Sequence, residues 1–227
     1  MLPLLHAIFL LLSRVRWLRE GKIAMQKPTP IRNYRVSPAA MQAIRVATAA
    51  LFVAIGVVLS PLSIPVFGAK IYPVQSFLNV LGAVFLGPVY AVLTALVISV
   101  IRNATGLGTP LAYLGSMIGA LLAALAYRSV LVGARVNESQ ALMPRRVLLA
   151  ILAAAGGEII GTGFLGALAD GAIVAPAVLH RTLIFTIYII PFLLAAIVGS
   201  LAACVAIIAL WRAGVRPRFL IYREKAL

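Results

Sequence analysis

Acidic residues are scarce in this sequence: five Asp and Glu stand against 20 Lys and Arg in 227 residues, a net charge of +15. Charged residues of both signs make up only 11% of the chain, where a soluble domain carries about a quarter. Cysteine occurs once, at Cys204 inside an apolar run, so no intramolecular disulfide can form and the redox compartment stays open. The apolar segments hold no paired carboxylates, no His-rich metal cluster and no nucleotide-binding glycine loop. Ser116 in Gly-Ser-Met-Ile-Gly lacks the flanking geometry of a nucleophile elbow, and neither histidine lies in an apolar span to serve it. These absences exclude a soluble globular enzyme, a disordered tail and a disulfide scaffold. They also argue against an intramembrane hydrolase. Without a Walker motif, any energy from ATP would come from another chain.

What the chain has in excess is apolar surface, at 63% of residues or about 143 side chains. A membrane-spanning helix needs roughly 20 mostly apolar residues, so six spans would use about 120 of them. The expectation is an all-α polytopic membrane protein. Four stretches are long enough on sight, at about 45–62, 109–128, 146–169 and 182–211. The stretch from Val74 to Ile101 is too long for one ordinary span and short for two. Gly87-Pro88 breaks it near its middle, since proline removes a helical donor and restrains the residue before it.

Basic residues decide the count, because they concentrate on the cytoplasmic side. Two short spans at 74–86 and 88–102 give six helices with both termini cytoplasmic. The inside then carries 8 basic residues up to Arg45, 4 from Arg128 to Arg146 and 5 from Arg212 onward; Lys70, Arg102 and Arg181 lie outside. A single span would move the last two inner groups outside. The positive charge thus reports orientation and anionic lipid rather than nucleic acid, which calls for a basic face with interleaved aromatics. Residues 1–40 read as a basic cytoplasmic leader, 41–212 as the membrane domain and 213–227 as a basic tail. Met1–Leu12 is apolar but too short to cross and lacks a basic leading region. It reads either as an interfacial segment or as the product of a start placed too early, with Met25 or Met41 as the true beginning. No inverted internal repeat is visible.

Polar side chains inside apolar runs are costly and usually face a protein interior or a water-filled cavity. Glu158 is 12 residues from both Arg146 and Asp170, which places it near mid-membrane. Thr162 follows four residues later on the same face, among Gly156, Gly157, Gly161, Gly163 and Gly166. One reading is a packing seam, with Gly157 and Gly161 spaced for close helix contact. The other, preferred because intramembrane acids are usually functional, is a ligand cavity. Gln75 and Asn79 form a second pair four apart; Asn79, on an otherwise apolar face, bonds either to a neighbouring helix or to a ligand. Arg102 suits a snorkelling anchor, while Asn103 precedes a Thr-Gly-Leu-Gly-Thr-Pro loop that could fold over a cavity. On the last helix Arg181, Phe185 and Tyr188 share a face. Tyr188 suits either a heteroaromatic ligand or an interfacial belt. Pro191 should kink this helix, and Trp211 and Tyr222 read as interface anchors.

These strings occur in an order that carries a resemblance. Arg-Val-Ala-Thr-Ala-Ala-Leu-Phe-Val-Ala-Ile-Gly resembles the first helix of substrate-binding S components of energy-coupling-factor (ECF) transporters. Ser-Ile-Pro-Val, Pro-Val-Gln…Asn-Val-Leu…Leu-Gly-Pro, Ile-Arg-Asn-(x)2-Gly-(x)-Gly-Thr, Gly-Ser-Met-Ile-Gly-Ala and Gly-Glu-Ile-Ile-Gly-Thr-Gly resemble the ThiW family within them. The resemblance runs from about Arg45 to Ala167. It implies a six-helix S component in a prokaryotic cell membrane that captures a thiamine precursor, the thiazole moiety hydroxyethylthiazole. It also implies two kinds of partner, a membrane coupling protein and two cytoplasmic ATPases, and no cofactor. An Ala-x-x-x-Ala motif meets the coupling protein in such subunits; Ala50 and Ala54 match its spacing, as do Ala43 and Ala47. The ligand positions it implies are Gln75, Asn79, Asn103, Glu158 and Thr162; the hypothesis set beside it is that Glu158 or Asn79 accepts the substrate hydroxyl, Tyr188 stacks on the ring and the loop from Ser63 to Pro73 closes the outer mouth. Three rivals remain: an S component for another vitamin or precursor, a proton-coupled secondary transporter using Glu158, and a structural membrane protein without a ligand.

Overall fold

The computed structural model describes residues 37–66, 69–131, 145–180 and 185–215; side chains are described for all of these except 65–66, 69–70, 178–179 and 185–188. The expected leader before residue 37, Gly68, Arg181 and the tail beyond residue 215 lie outside the described residues.

Helix α1 (Pro38–Val58) starts behind Ser37, whose hydroxyl accepts the Ala40 amide at 3.2 Å as a cap. It ends before a Ser60-Pro61 turn. Two three-residue strands follow, β1 (Ile64–Val66) and β2 (Ala69–Ile71), paired antiparallel with Ile64 opposite Ile71 and Val66 opposite Ala69. Helices α2 (Pro73–Phe85) and α3 (Pro88–Ala104) each have proline in the first turn, where its missing N–H is harmless. Between them Gly87 has φ 82°, a left-handed conformation that glycine adopts without strain. The Gly87-Pro88 break therefore stands where the sequence places it.

Helix α4 spans Ala112–Leu131 and α6 spans Phe185–Arg212, with Pro191 inside it. Helix α5, residues 145–179, is composite. Arg145–Glu158 is α-helical, Ile159–Gly166 is π-helical, Ala167–Ala169 returns to α, Asp170–Val174 widens again, and Ala175–Leu179 closes the rod. Runs of π-helix are rare and favour functional sites. Here the first run coincides with Gly161, Gly163 and Gly166, which place no Cβ in the way of a widened turn. The sequence ends this span at residue 169, but the rod continues to 179 and buries Asp170 within it.

Among the described residues, four helical stretches are long and apolar enough to cross a membrane: Pro38–Val58, Ala112–Leu131, Arg145–Ala177 and Ile189–Arg212. Helices α2 and α3 are shorter, at 13 and 17 residues. Apolar side chains face outward along the rods, among them Val89, Leu93 and Val97 on α3, Leu121 and Leu125 on α4, and Leu148 and Leu152 on α5. A water-soluble chain seldom tolerates this much exposed apolar surface, and lipid accounts for it. The chain is an all-α polytopic membrane protein, with a short β-ribbon at the end where α2 begins.

α2 is the central element. It packs on α3, α4, α5 and α6, and nine of its residues are buried, almost all the way round. Helices α4 and α5 make the closest pairing and run antiparallel. A Cβ on Gly157 would meet the Leu122 carbonyl oxygen at 2.7 Å, one on Gly161 the Gly119 Cα at 2.6 Å, and one on Gly166 the Gly115 Cα at 2.5 Å. Backbone thus lies on backbone at three points over about two turns, as small-residue seams permit in lipid. Gly156 faces open space. Toward the end holding Arg128 and Arg145, Tyr127, Val147, Ile151, Ile207 and Trp211 close the bundle with an apolar core. The polar side chains gather in the other half. Helix α1 buries only Phe52 and Gly56 and leaves most of its surface exposed.

Candidate functional site

The acid at mid-span is the hub of the polar half. Glu158 is wholly buried on the last α-helical turn before the π segment. Its Oε1 accepts the Asn79 side-chain amide of α2 at 3.0 Å and lies 2.8 Å from the Thr162 hydroxyl. Asn79 donates a second N–H to the Ser116 carbonyl on α4 at 3.1 Å, and the Thr162 hydroxyl reaches the Gly115 carbonyl at the same distance. Every one of these partners is neutral. Oε2 has no hydrogen-bond partner and occupies space that a side chain at Gly119 would fill, 2.5 Å from where that Cβ would stand. Thr162 Oγ1 crowds the same position. Gly119 is therefore required twice, for the Gly161 contact and for the carboxyl beside it.

A ring of hydroxyls borders this hub. Ser76 on α2 neighbours Glu158. Ser116 Oγ and Ser99 Oγ of α3 lie 3.0 Å apart, and Ser116 donates to the Ala112 carbonyl at 2.7 Å. Gln75 lies one turn from Asn79, buried, with its amide nitrogen 3.5 Å from the Ala95 carbonyl and its Oε1 unpartnered.

Nearer the ribbon end, Arg102 is buried rather than snorkelling. Its guanidinium lies 3.6 Å over the Tyr72 ring, and Nη2 donates to the Leu107 carbonyl at 3.4 Å. The Tyr72 hydroxyl donates to the Gly56 carbonyl, which also accepts Ser60 Oγ at 2.8 Å. Burial pushes the Tyr72 phenol above its ordinary pKa, so it remains a neutral donor. Tyr72 and Arg102 thus fasten the end of α1, the ribbon, the start of α2 and the loop after α3 to one another.

Of the positions expected from sequence, Asn79, Glu158 and Thr162 come into direct contact, and Gln75 sits beside them. Asn103 is half-buried at the end of α3, and its carbonyl accepts the amides of Thr105 and Gly106 in the turn that follows. Tyr188 belongs to α6, and its side chain lies outside the described ones. Ala50 and Ala54 are exposed on α1. Sequence reasoning missed Ser76, Ser99 and Gly119, and set Ser116 aside as a non-nucleophile. Ser76, Asn79 and the Ser116–Gly119 pair lie on segments quoted for the resemblance, but only tertiary contact joins them to Glu158. Asp170, read as the end of a span, proves wholly buried.

Among the described residues no group of three or more His, Cys, Asp or Glu could hold a metal. The cluster offers a buried carboxyl, an amide and hydroxyls to a small polar group, with no nucleophile–base pair. Comparison with curated proteins and with solved structures returns no match. One family does match, described as thiamine-precursor transporter protein (ThiW), over residues 46–213, a range that holds α2 to α6 and all but the start of α1. A polytopic membrane chain with a buried polar cluster is what such a transporter requires, and the chain belongs to the thiamine-precursor transporter (ThiW) family.

Proposed function

We propose that this chain is the substrate-binding S component of an ECF-type importer in a prokaryotic plasma membrane, with six spans and both termini in the cytoplasm. Its substrate is the thiazole precursor hydroxyethylthiazole, which it binds without chemical change. The observation that carries the reading is the Asn79–Glu158–Thr162 contact, buried at mid-span in a family of thiamine-precursor transporters. A small neutral ligand calls for an apolar site with a few placed polar groups. The free Oε2 of Glu158 accepts the substrate hydroxyl, with Asn79 fixing the carboxyl and Tyr188 stacking on the ring. The apolar core around Tyr127 and Ile207 seals the cytoplasmic half. Substrate therefore enters from the ribbon end and cannot leak through.

Titration calorimetry on the purified protein in detergent, without partners, tests this. Hydroxyethylthiazole is expected to bind, while the pyrimidine precursor, thiamine and biotin are not. Binding of a different compound would keep the architecture and replace the substrate. Uptake that persists without an ATPase and collapses with an uncoupler would favour a proton-coupled carrier.

The exposed face of α1 is the docking surface for the coupling protein in this reading. Ala50 and Ala54 let a partner helix approach closely, and α1 is hardly engaged by the rest of the chain. The double substitution Ala50→Leu with Ala54→Leu is expected to leave hydroxyethylthiazole affinity unchanged and to abolish co-purification with the coupling protein. Intact co-purification, with loss instead in Ala43→Leu with Ala47→Leu, would shift the contact about two turns toward the start of α1.

A further inference from the structure

Asp170 is the buried acid left without a task. It sits at the start of the second π-helical turn of α5, with 0% of its surface exposed, and neither carboxyl oxygen makes a hydrogen bond. Its Oδ2 lies 2.9 Å from where a Cβ on Gly115 would stand, and the Phe192 ring edge of α6 lies 3.1 Å from the same point. Glu158 Oε2 has the same relation to Gly119. The two acids of α5, twelve residues apart, thus point at two glycines on one face of α4 that are four residues or about 6 Å apart. Thr162 lies between them, joined to Glu158 and to the Gly115 carbonyl.

Their states differ. Glu158 is held on one oxygen by Asn79 and Thr162. Asp170 has no side-chain partner and no well-formed hydrogen bond, and a buried polar group so poorly satisfied is strongly unfavourable. The backbone amide of Gly115, in the first turn of α4, faces it as a donor, yet neither carboxyl oxygen reaches a well-formed hydrogen bond. A free carboxyl beside an aromatic ring complements the edge of a flat nitrogen heterocycle, with the ring packing against the phenyl and its nitrogen sharing a proton with the carboxyl.

We propose that Asp170 is a substrate-contacting residue that pairs with the ring nitrogen of the heterocycle, while the Glu158 cluster takes its hydroxyl. This rests on the function proposed above and adds a second polar point nearer the ribbon end. Two points at fixed separation would select molecules that carry both a hydroxyl and a ring nitrogen.

The test is a comparison by calorimetry of hydroxyethylthiazole and its thiophene analogue, which keeps the ring and the hydroxyl but lacks the nitrogen. The wild-type protein is expected to bind the thiazole at least tenfold more tightly than the thiophene. Asp170→Ala is expected to lower thiazole affinity to the thiophene's level and to leave thiophene affinity unchanged, which also shows that the variant is folded. Equal affinity of the wild type for both compounds overturns the proposal whatever the variant does. So does an Asp170→Ala protein that still prefers the thiazole, or one that loses both compounds equally, since Asp170 would then serve only the start of α4. Failure of the wild type to bind either compound would instead sink the thiazole reading, and this assignment with it.

Discussion

Gly161→Ala is expected to destabilise the protein by about 1–3 kcal/mol, while Gly156→Ala on the same helix is expected to be neutral or mildly stabilising. The added methyl at residue 161 would meet the Gly119 Cα at 2.6 Å, the Gly119 nitrogen at 3.0 Å and the Ile118 carbonyl oxygen at 3.1 Å. All three are backbone atoms, so no side chain can swing aside and α4 and α5 must separate. Separation would also stretch the Thr162–Gly115 and Asn79–Ser116 bonds that cross to α4, so substrate affinity falls together with stability. At Gly156 nothing lies within 4 Å, and alanine improves helix propensity by up to roughly 1 kcal/mol. In a chain of this size each kcal/mol moves Tm by roughly 2–4 °C. Thermal unfolding of both variants in the same detergent decides the matter. Equal midpoints would mean that the seam tolerates an extra methyl and that the glycines have another purpose.

That pair of glycines also shows where sequence reading stops. The run Gly156–Gly166 is visibly stripped of bulk, and the spacing of Gly157 and Gly161 announces a close helix contact. Spacing cannot say that Gly156 is idle, because the partner that makes its neighbours necessary is α4, about forty residues away. Local signals served well where chemistry is local. Gly87-Pro88 separates α2 from α3 because proline and a left-handed glycine act on their own backbone. Glu158 and Thr162 share a face because four residues bring a helix back on itself. Asn79 against Glu158, by contrast, joins positions 79 residues apart, and the hydroxyls of Ser99 and Ser116 meet only once α3 and α4 are packed. Asp170 was misplaced for a different reason. Counting apolar residues ends a span at its first charge, whereas the rod continues by widening its turns and turning the carboxyl inward.

The second large effect is at the hub. Glu158→Ala is expected to reduce hydroxyethylthiazole affinity by about 100-fold or more, and Glu158→Gln by about tenfold with the fold intact. Alanine removes the acceptor of one Asn79 N–H, and an orphaned buried donor costs about 1–3 kcal/mol. It also leaves a hole facing Gly119, which has no side chain to fill it, and cavities of this kind cost more. Glutamine keeps a carbonyl oxygen for Asn79 and Thr162. It replaces Oε2 by an amide that donates where the substrate hydroxyl requires an acceptor, so binding weakens while stability is held. Asn79→Ala should weaken binding as well. Because the two side chains share one hydrogen bond, the double variant should lose less than the sum, with a coupling of about 0.5–3 kcal/mol. Calorimetry on the four proteins measures this directly. If Glu158→Gln and Asn79→Ala each bind like the wild type, the cluster is a hydrogen-bonded helix seam, and the substrate must be held elsewhere.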